Sequence, residues 1–135
     1  QIILYLTIIK SLLMDYVIII LKVIISLSIL NVWLIQPKKP TKWRGGNAKT
    51  IFEEFEVYGL PKTLCYVIGF LKVSLALILL ASIQYETLTL IGSLGLSLLL
   101  LGSIIMHIKV KDEWYKSFPA LLFIVLNLTI VYFSI

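Results

Sequence analysis

Apolar residues run through this chain in four long stretches, separated by two polar loops and one short link. The first stretch, residues 2–35, is broken only by a few polar side chains, the charged ones being Lys10, Asp15 and Lys22. As one helix it would measure about 50 Å at 1.5 Å per residue, against a bilayer core of ~30 Å. The spacing therefore predicts a first span over residues 16–35. Met14 then reads as a native start, and residues 1–13 as an extension outside the membrane domain of residues 14–135. A cleaved signal peptide is the alternative, but no small-residue cleavage site follows Ile9. Trp33 reads as an interfacial anchor.

Residues 36–62 form a long polar loop. Pro37 and Pro40 stop the helix. Lys38, Lys39, Lys42 and Arg44 cluster around Trp43, and Gly45-Gly46 marks a turn. A short amphipathic helix follows. Thr50-x-x-Glu53 has capping-box spacing, with Asn47 as the competing cap. Ala48, Ile51, Phe52, Phe55 and Tyr58 share one face, as expected of a helix lying in the membrane interface. Gly59-Leu60-Pro61 turns the chain back.

Three further spans are predicted over residues 63–82, 88–107 and 119–135. Lys72 lies near the middle of the second. Gly92, Gly95 and Gly102, with Ser93, Ser97 and Ser103, line the third and allow close helix approach. Pro119 suits the first turn of the fourth. The pattern predicts an all-α fold, a membrane four-helix bundle with an amphipathic helix in its first long loop.

Composition agrees with this. The 135 residues are 60% hydrophobic and 14% charged, where a soluble domain holds roughly 45–50% and about 25%. The net charge of +5 comes from basic residues flanking spans, which suits lipid headgroups. A contiguous basic face with stacking aromatics is missing, so no nucleic-acid partner is expected. The basic residues concentrate in the first and third loops. The positive-inside rule then places those loops in the cytoplasm and both termini outside. One cysteine, Cys65, makes no intrachain disulfide, and with one histidine it builds no zinc site.

The elements WRGGNA, EEFEVYGLP, Gly69-x-x-Lys72, MHIKVKD and KSFPA occur in series between Asn31 and Ile135. In order and spacing they resemble the DoxX-like family of small four-span membrane proteins. The resemblance implies the four-helix fold and a bacterial-type plasma membrane. It implies little chemistry. Members have been linked to thiosulfate–quinone oxidoreduction and to redox-stress complexes, often as partner subunits.

Several residues are candidates for chemistry. Lys72 is foremost, because a charge near the bilayer centre costs on the order of 2.5–3.5 kcal/mol. It reads either as an anion or quinone-headgroup contact, or as a structural ion pair with Glu53 or Glu54. His107 reads as a ligand-binding donor, a proton shuttle or a haem ligand, or as an interfacial histidine bonded to Glu53, Glu54 or Asp112. With Tyr58, these define a candidate ligand site of Lys72, Glu53, Glu54, Tyr58 and His107. Trp43, Arg44, Gly45 and Gly46 form a candidate lipid-headgroup contact. Lys22 is expected to snorkel outward or to pair with Asp15. Asn31 and Asn127 read as interhelical hydrogen-bond glue. Neither a catalytic triad nor a metal site is expected; haem across a bundle wants two axial groups, and quinone is the cofactor that fits better.

Two functions from different classes follow. One is a non-enzymatic accessory or scaffold subunit whose partners are the bilayer and other membrane proteins. The alternative is a quinone- or amphiphile-binding subunit of a membrane redox system. A permeation role would need a continuous polar lining, and the polar residues are scattered.

Overall fold

A computed structural model describes residues 1–135 as helices and connections, with no strand. Helix α1 covers Ile2–Leu30 and continues through a π-helical turn, Asn31–Ile35. Helix α2 is Ile51–Val57, α3 Lys62–Ala81, α4 Thr89–Lys109 and α5 Phe118–Ser134. Single 3₁₀ turns, Glu86–Leu88 and Trp114–Ser117, lead into α4 and α5. Four segments are long and apolar enough to cross a membrane: Ile2–Ile35, Lys62–Ala81, Glu86–Lys109 and Trp114–Ser134. The last three lie within a few residues of the spans predicted from the sequence.

The long helices close a four-membered ring. α1 packs on α3 and α5, α3 on α4, and α4 on α5. Ile25, Ile29, Ala76, Leu79, Leu96, Leu100, Ala120 and Ile130 form one core, two from each helix. α4 approaches α3 closely at Gly92, where a Cβ would stand 3.1 Å from the backbone of Leu79. This is the small-residue packing expected of helices in lipid, where backbone proximity replaces hydrophobic drive.

The first helix differs from expectation. It does not begin near Met14 but runs unbroken from Ile2. Every side chain of residues 1–13 is exposed, and the first buried one is Lys22. Leu, Ile and Tyr carry no helix stop in this stretch, so propensity alone continues the helix past the bundle. Lys22 also differs. It neither snorkels outward nor meets Asp15. Its Nζ donates to Ser82 O at 3.2 Å and to Thr89 Oγ1 at 3.0 Å. Ser82 is the C-cap of α3, so the ammonium sits at the negative end of that helix dipole. Asn127 is buried but does not bridge helices; its Nδ2 donates to Phe123 O of its own helix at 2.8 Å.

Helix α2 starts as its sequence demands. Thr50 Oγ1 accepts from the Glu53 N–H at 3.1 Å, and Glu53 Oε2 accepts from the Lys49 N–H at 2.7 Å. The reciprocal box is thus shifted one residue outward from its usual form. Ile51 and Phe55 are buried, and α2 packs on α3 with Cys65 between them. This places α2 as a lid across one end of the bundle.

Candidate functional site

The lid is held by two polar nodes. The first is Arg44. Its Nε donates to Lys39 O at 3.1 Å, and one terminal nitrogen reaches Gln36 O, Pro37 O and Lys39 O at 3.3, 3.2 and 3.0 Å. These carbonyls close the π-turn and the loop after it. The planar, permanently charged guanidinium suits several carbonyls at once.

The second node is Asp112. α4 ends with Asp112 N–H donating to His107 O at 3.0 Å and Lys111 N–H to Ile108 O at 3.0 Å. Lys111 takes φ +59 there, the left-handed residue of a Schellman-type stop. The turn aims the Asp112 carboxylate back along the helix. His107 Nδ1 lies 2.7 Å from Oδ2, and the Gly46 N–H donates to Oδ1 at 2.9 Å. Lys116 Nζ stands 3.7 Å from Oδ1 and donates to Gly46 O at 2.7 Å. Burial pushes this carboxyl up, but the His107 hydrogen bond, the Gly46 N–H and the Lys116 charge outweigh it. Asp112 is held below the ordinary carboxylate range. An ionised carboxylate only accepts, so His107 carries its proton on Nδ1 and donates it. The same contacts tie the first long loop to the α4–α5 hairpin, which places both at one end of the bundle.

Beneath the lid lies a cavity of about 500 Å³, lined mostly by hydrophobic side chains. That size is typical of small-molecule sites, which combine apolar walls with a few placed polar groups. Its polar lining includes Lys72, Ser103, His107, Tyr58, Glu54 and Arg44, with Ser28, Asn31, Gln36 and Thr41 on the α1 side. Lys72 is only 7% exposed. Its Nζ donates to Ser103 Oγ at 3.2 Å and stands 5.5 Å from the centre of the Trp33 ring. The π-turn, closed by Gln36 N–H to Asn31 O at 2.8 Å, carries Trp33 into this wall. Such bulges frequently occur at functional sites. The indole rests in the notch left by Gly69, with Phe55 at its edge, 6.1 Å between centroids.

Tyr58 closes α2 and is buried. Its ring meets His107 edge to face, 5.8 Å between centroids. Its carbonyl accepts from Lys109 Nζ at 2.9 Å. Burial first, then the Glu54 and Asp112 charges, push its hydroxyl well above the ordinary tyrosine value, against a smaller opposing effect of Arg44. Tyr58 is therefore a neutral hydroxyl at the cavity wall.

Of the candidate ligand residues, Lys72, Glu54, Tyr58 and His107 line this one cavity. Glu53 does not; it is exposed on the far face of α2, capping Lys49. The expected ion pair of Lys72 with Glu53 or Glu54 does not form. The Asp112 carboxylate instead takes the His107 hydrogen bond and the Lys116 charge. Glu54 Oε2 instead accepts the Gly45 N–H at 2.7 Å. The candidate headgroup residues divide as well. Trp43 and Arg44 line the cavity. The Gly45 and Gly46 N–H groups are taken by Glu54 and Asp112, and Arg44 is spent on carbonyls. Trp43 packs beside Tyr115 and Phe118, at 6.1 and 6.4 Å between centroids.

Ser103 and Trp33 complete the site without having been singled out for it. Ser103 precedes His107 by four residues, one helical turn, which is a usable signal. Trp33 reads from sequence as an interfacial anchor because only its pairing with Gly69, across α1 and α3, turns it inward.

A family model described as DoxX-like matches residues 45–130. No curated protein and no solved structure matches the chain. The matched segment begins at the Gly45-Gly46 turn, takes in α2, α3 and α4 whole, and ends inside α5, so it carries Lys72, His107 and Asp112. With four helices of spanning length around that segment, this chain belongs to the DoxX-like family of small four-span membrane proteins.

Proposed function

We propose that this protein binds a small amphiphile in the cavity beneath the α2 lid, with an oxygen acceptor of the ligand held by Lys72. The observation that carries this reading is the state of the Lys72 ammonium. It is buried at a cavity wall with one hydroxyl partner, and a lysine offers three donors. A charge in a membrane interior is costly and marks a functional site unless paired. An acceptor headgroup in an apolar cavity supplies the missing partner, and the surrounding side chains accommodate a tail or ring. A quinone carbonyl or a carboxylate meets that description.

In this reading the lidded end faces the cytoplasm. The two loops that meet at Gly46 and Asp112 hold Lys38, Lys39, Lys42, Arg44, Lys49, Lys62, Lys109, Lys111 and Lys116. The opposite end has only Lys10 and the buried Lys22. Positive loops stay inside, so both termini lie outside, in a plasma membrane of bacterial type. α2 then lies at the inner interface.

The test is purification in mild detergent followed by solvent extraction and mass spectrometry. An amphiphile retained in stoichiometric amount, and depleted in Lys72→Met of unchanged helicity, is the expected result. Equal retention by both proteins contradicts it.

A second reading, an accessory subunit of a membrane complex, is favoured by α1. Its first 12 residues are exposed on a helix that outruns the bundle, a surface suited to a neighbouring membrane helix. A second subunit that co-purifies stoichiometrically, and is lost when residues 2–13 are removed, is the outcome that reading requires.

A further inference from the structure

Two polar groups on the cavity wall are not alike, and the difference specifies the ligand more closely. Lys72 can only donate. His107 lines the same cavity with Nδ1 already turned to Asp112. Because Asp112 accepts, a proton sits on Nδ1, and Nε2 is the ring nitrogen left for the cavity. That atom makes no hydrogen bond within the protein, and it is not among the polar atoms sealed by packing. Ser103 and His107 stand one turn apart on α4, so the Lys72–Ser103 pair and the imidazole are successive polar positions along one wall. The neighbouring Tyr58 ring packs edge-on against the imidazole and steadies its plane.

We propose that the site selects a hydroxylated amphiphile, a phenol- or quinol-type molecule, whose O–H donates to His107 Nε2 while an oxygen of the same ligand accepts from Lys72. The inference rests on the cavity being a ligand site, as proposed above. Asp112 acts on the ligand only through His107 and is a positioning residue. Its two oxygens have separate tasks, one for the Gly46 N–H and one for His107. In Asp112→Asn the single remaining oxygen is required by Gly46, which leaves the amide NH₂ facing His107. Nδ1 must then accept, the proton moves to Nε2, and the cavity meets a donor where it had an acceptor. The same tautomer logic underlies the effect of replacing the aspartate of a serine-protease triad.

The experiment uses the full chain in detergent with two probes, 4-octylphenol and its methyl ether, titrated by calorimetry. They match in shape and differ in the one proton that Nε2 would accept. The wild-type protein is expected to favour the phenol by about tenfold, the worth of one buried hydrogen bond. His107→Phe is expected to bind both probes alike. Asp112→Asn is expected to lose the phenol preference with the imidazole still in place, which covers the case in which His107→Phe does not fold. A wild-type protein that binds both probes equally overturns the inference and leaves the cavity reading standing. A phenol preference that persists in both variants overturns it as well. A wild-type protein that binds neither probe overturns both.

Discussion

The Trp33 indole lies against Gly69 so closely that a Cβ on the glycine would stand 2.7 Å from Trp33 Cε3. This contact locks the π-turn of α1 to α3 three residues before Lys72, and the ammonium faces the same ring. Gly69→Ala forces the indole aside. Overpacking of this kind costs about 1–3 kcal/mol. A lower thermal midpoint in detergent and a shifted tryptophan emission are expected. An unchanged midpoint with unchanged emission would show that the slot is loose.

Arg44 is expected to be irreplaceable by lysine. Its side chain reaches three carbonyls of the loop that follows α1. A lysine ammonium cannot present donors in that planar fork. Arg44→Lys should lower stability by about 1–3 kcal/mol, as for hydrogen bonds to a charged group. The loop of residues 36–50 should become more sensitive to protease. Equal cleavage rates in the two proteins would contradict this role.

Acid should loosen the lid through Asp112. Its folded pKa is depressed, so its contribution is complete above the ordinary carboxylate value of about 4. That contribution is lost as pH falls through the lower folded value. The wild-type thermal midpoint is expected to drop over that acidic window. Asp112→Asn should start lower at pH 7, by roughly 1–3 kcal/mol, and vary less over the same window. Parallel pH profiles for the two proteins would remove Asp112 from the account.

Lys111 holds a left-handed conformation at φ +59, which a non-glycine residue adopts only at a cost. Its amine forms neither a hydrogen bond nor an ion pair with the rest of the chain. Lys111→Gly is therefore expected to stabilise the protein by about 0.5–1 kcal/mol. A destabilised variant would mean that the lysine side chain holds the hairpin in some other way.

The spans were legible because their signal is composition over some twenty residues, and no packing detail changes it. Thr50 as a cap was legible for a related reason: capping is settled within four residues. Four of the five candidate ligand residues meet at one cavity, Glu54 and Tyr58 on the lid, His107 in the last turn of α4 and Lys72 half-way along α3. What could not be read depends on contacts between distant segments. Lys22 turns inward because the C-terminus of α3 offers carbonyls at its level. Glu54 makes no ion pair with Lys72, and its Oε2 accepts from Gly45 N–H. Trp33 faces the cavity because a π-turn and Gly69 place it there. Helix propensity carries α1 back to Ile2, where bilayer thickness alone argued for a shorter span.

The central claim is that the cavity holds an amphiphile at Lys72, and Trp33 reports on it directly. The measurement is quenching of Trp33 fluorescence by a ubiquinone analogue with a ten-carbon tail, in a protein with Trp43 and Trp114 replaced by phenylalanine. Gly102 lines the cavity, and a Cβ added there meets no atom within 4 Å, so Gly102→Leu is placed to fill the space. The account expects saturable quenching that Lys72→Met weakens and Gly102→Leu abolishes while helicity is retained. Quenching of equal depth and affinity in all three proteins would contradict it.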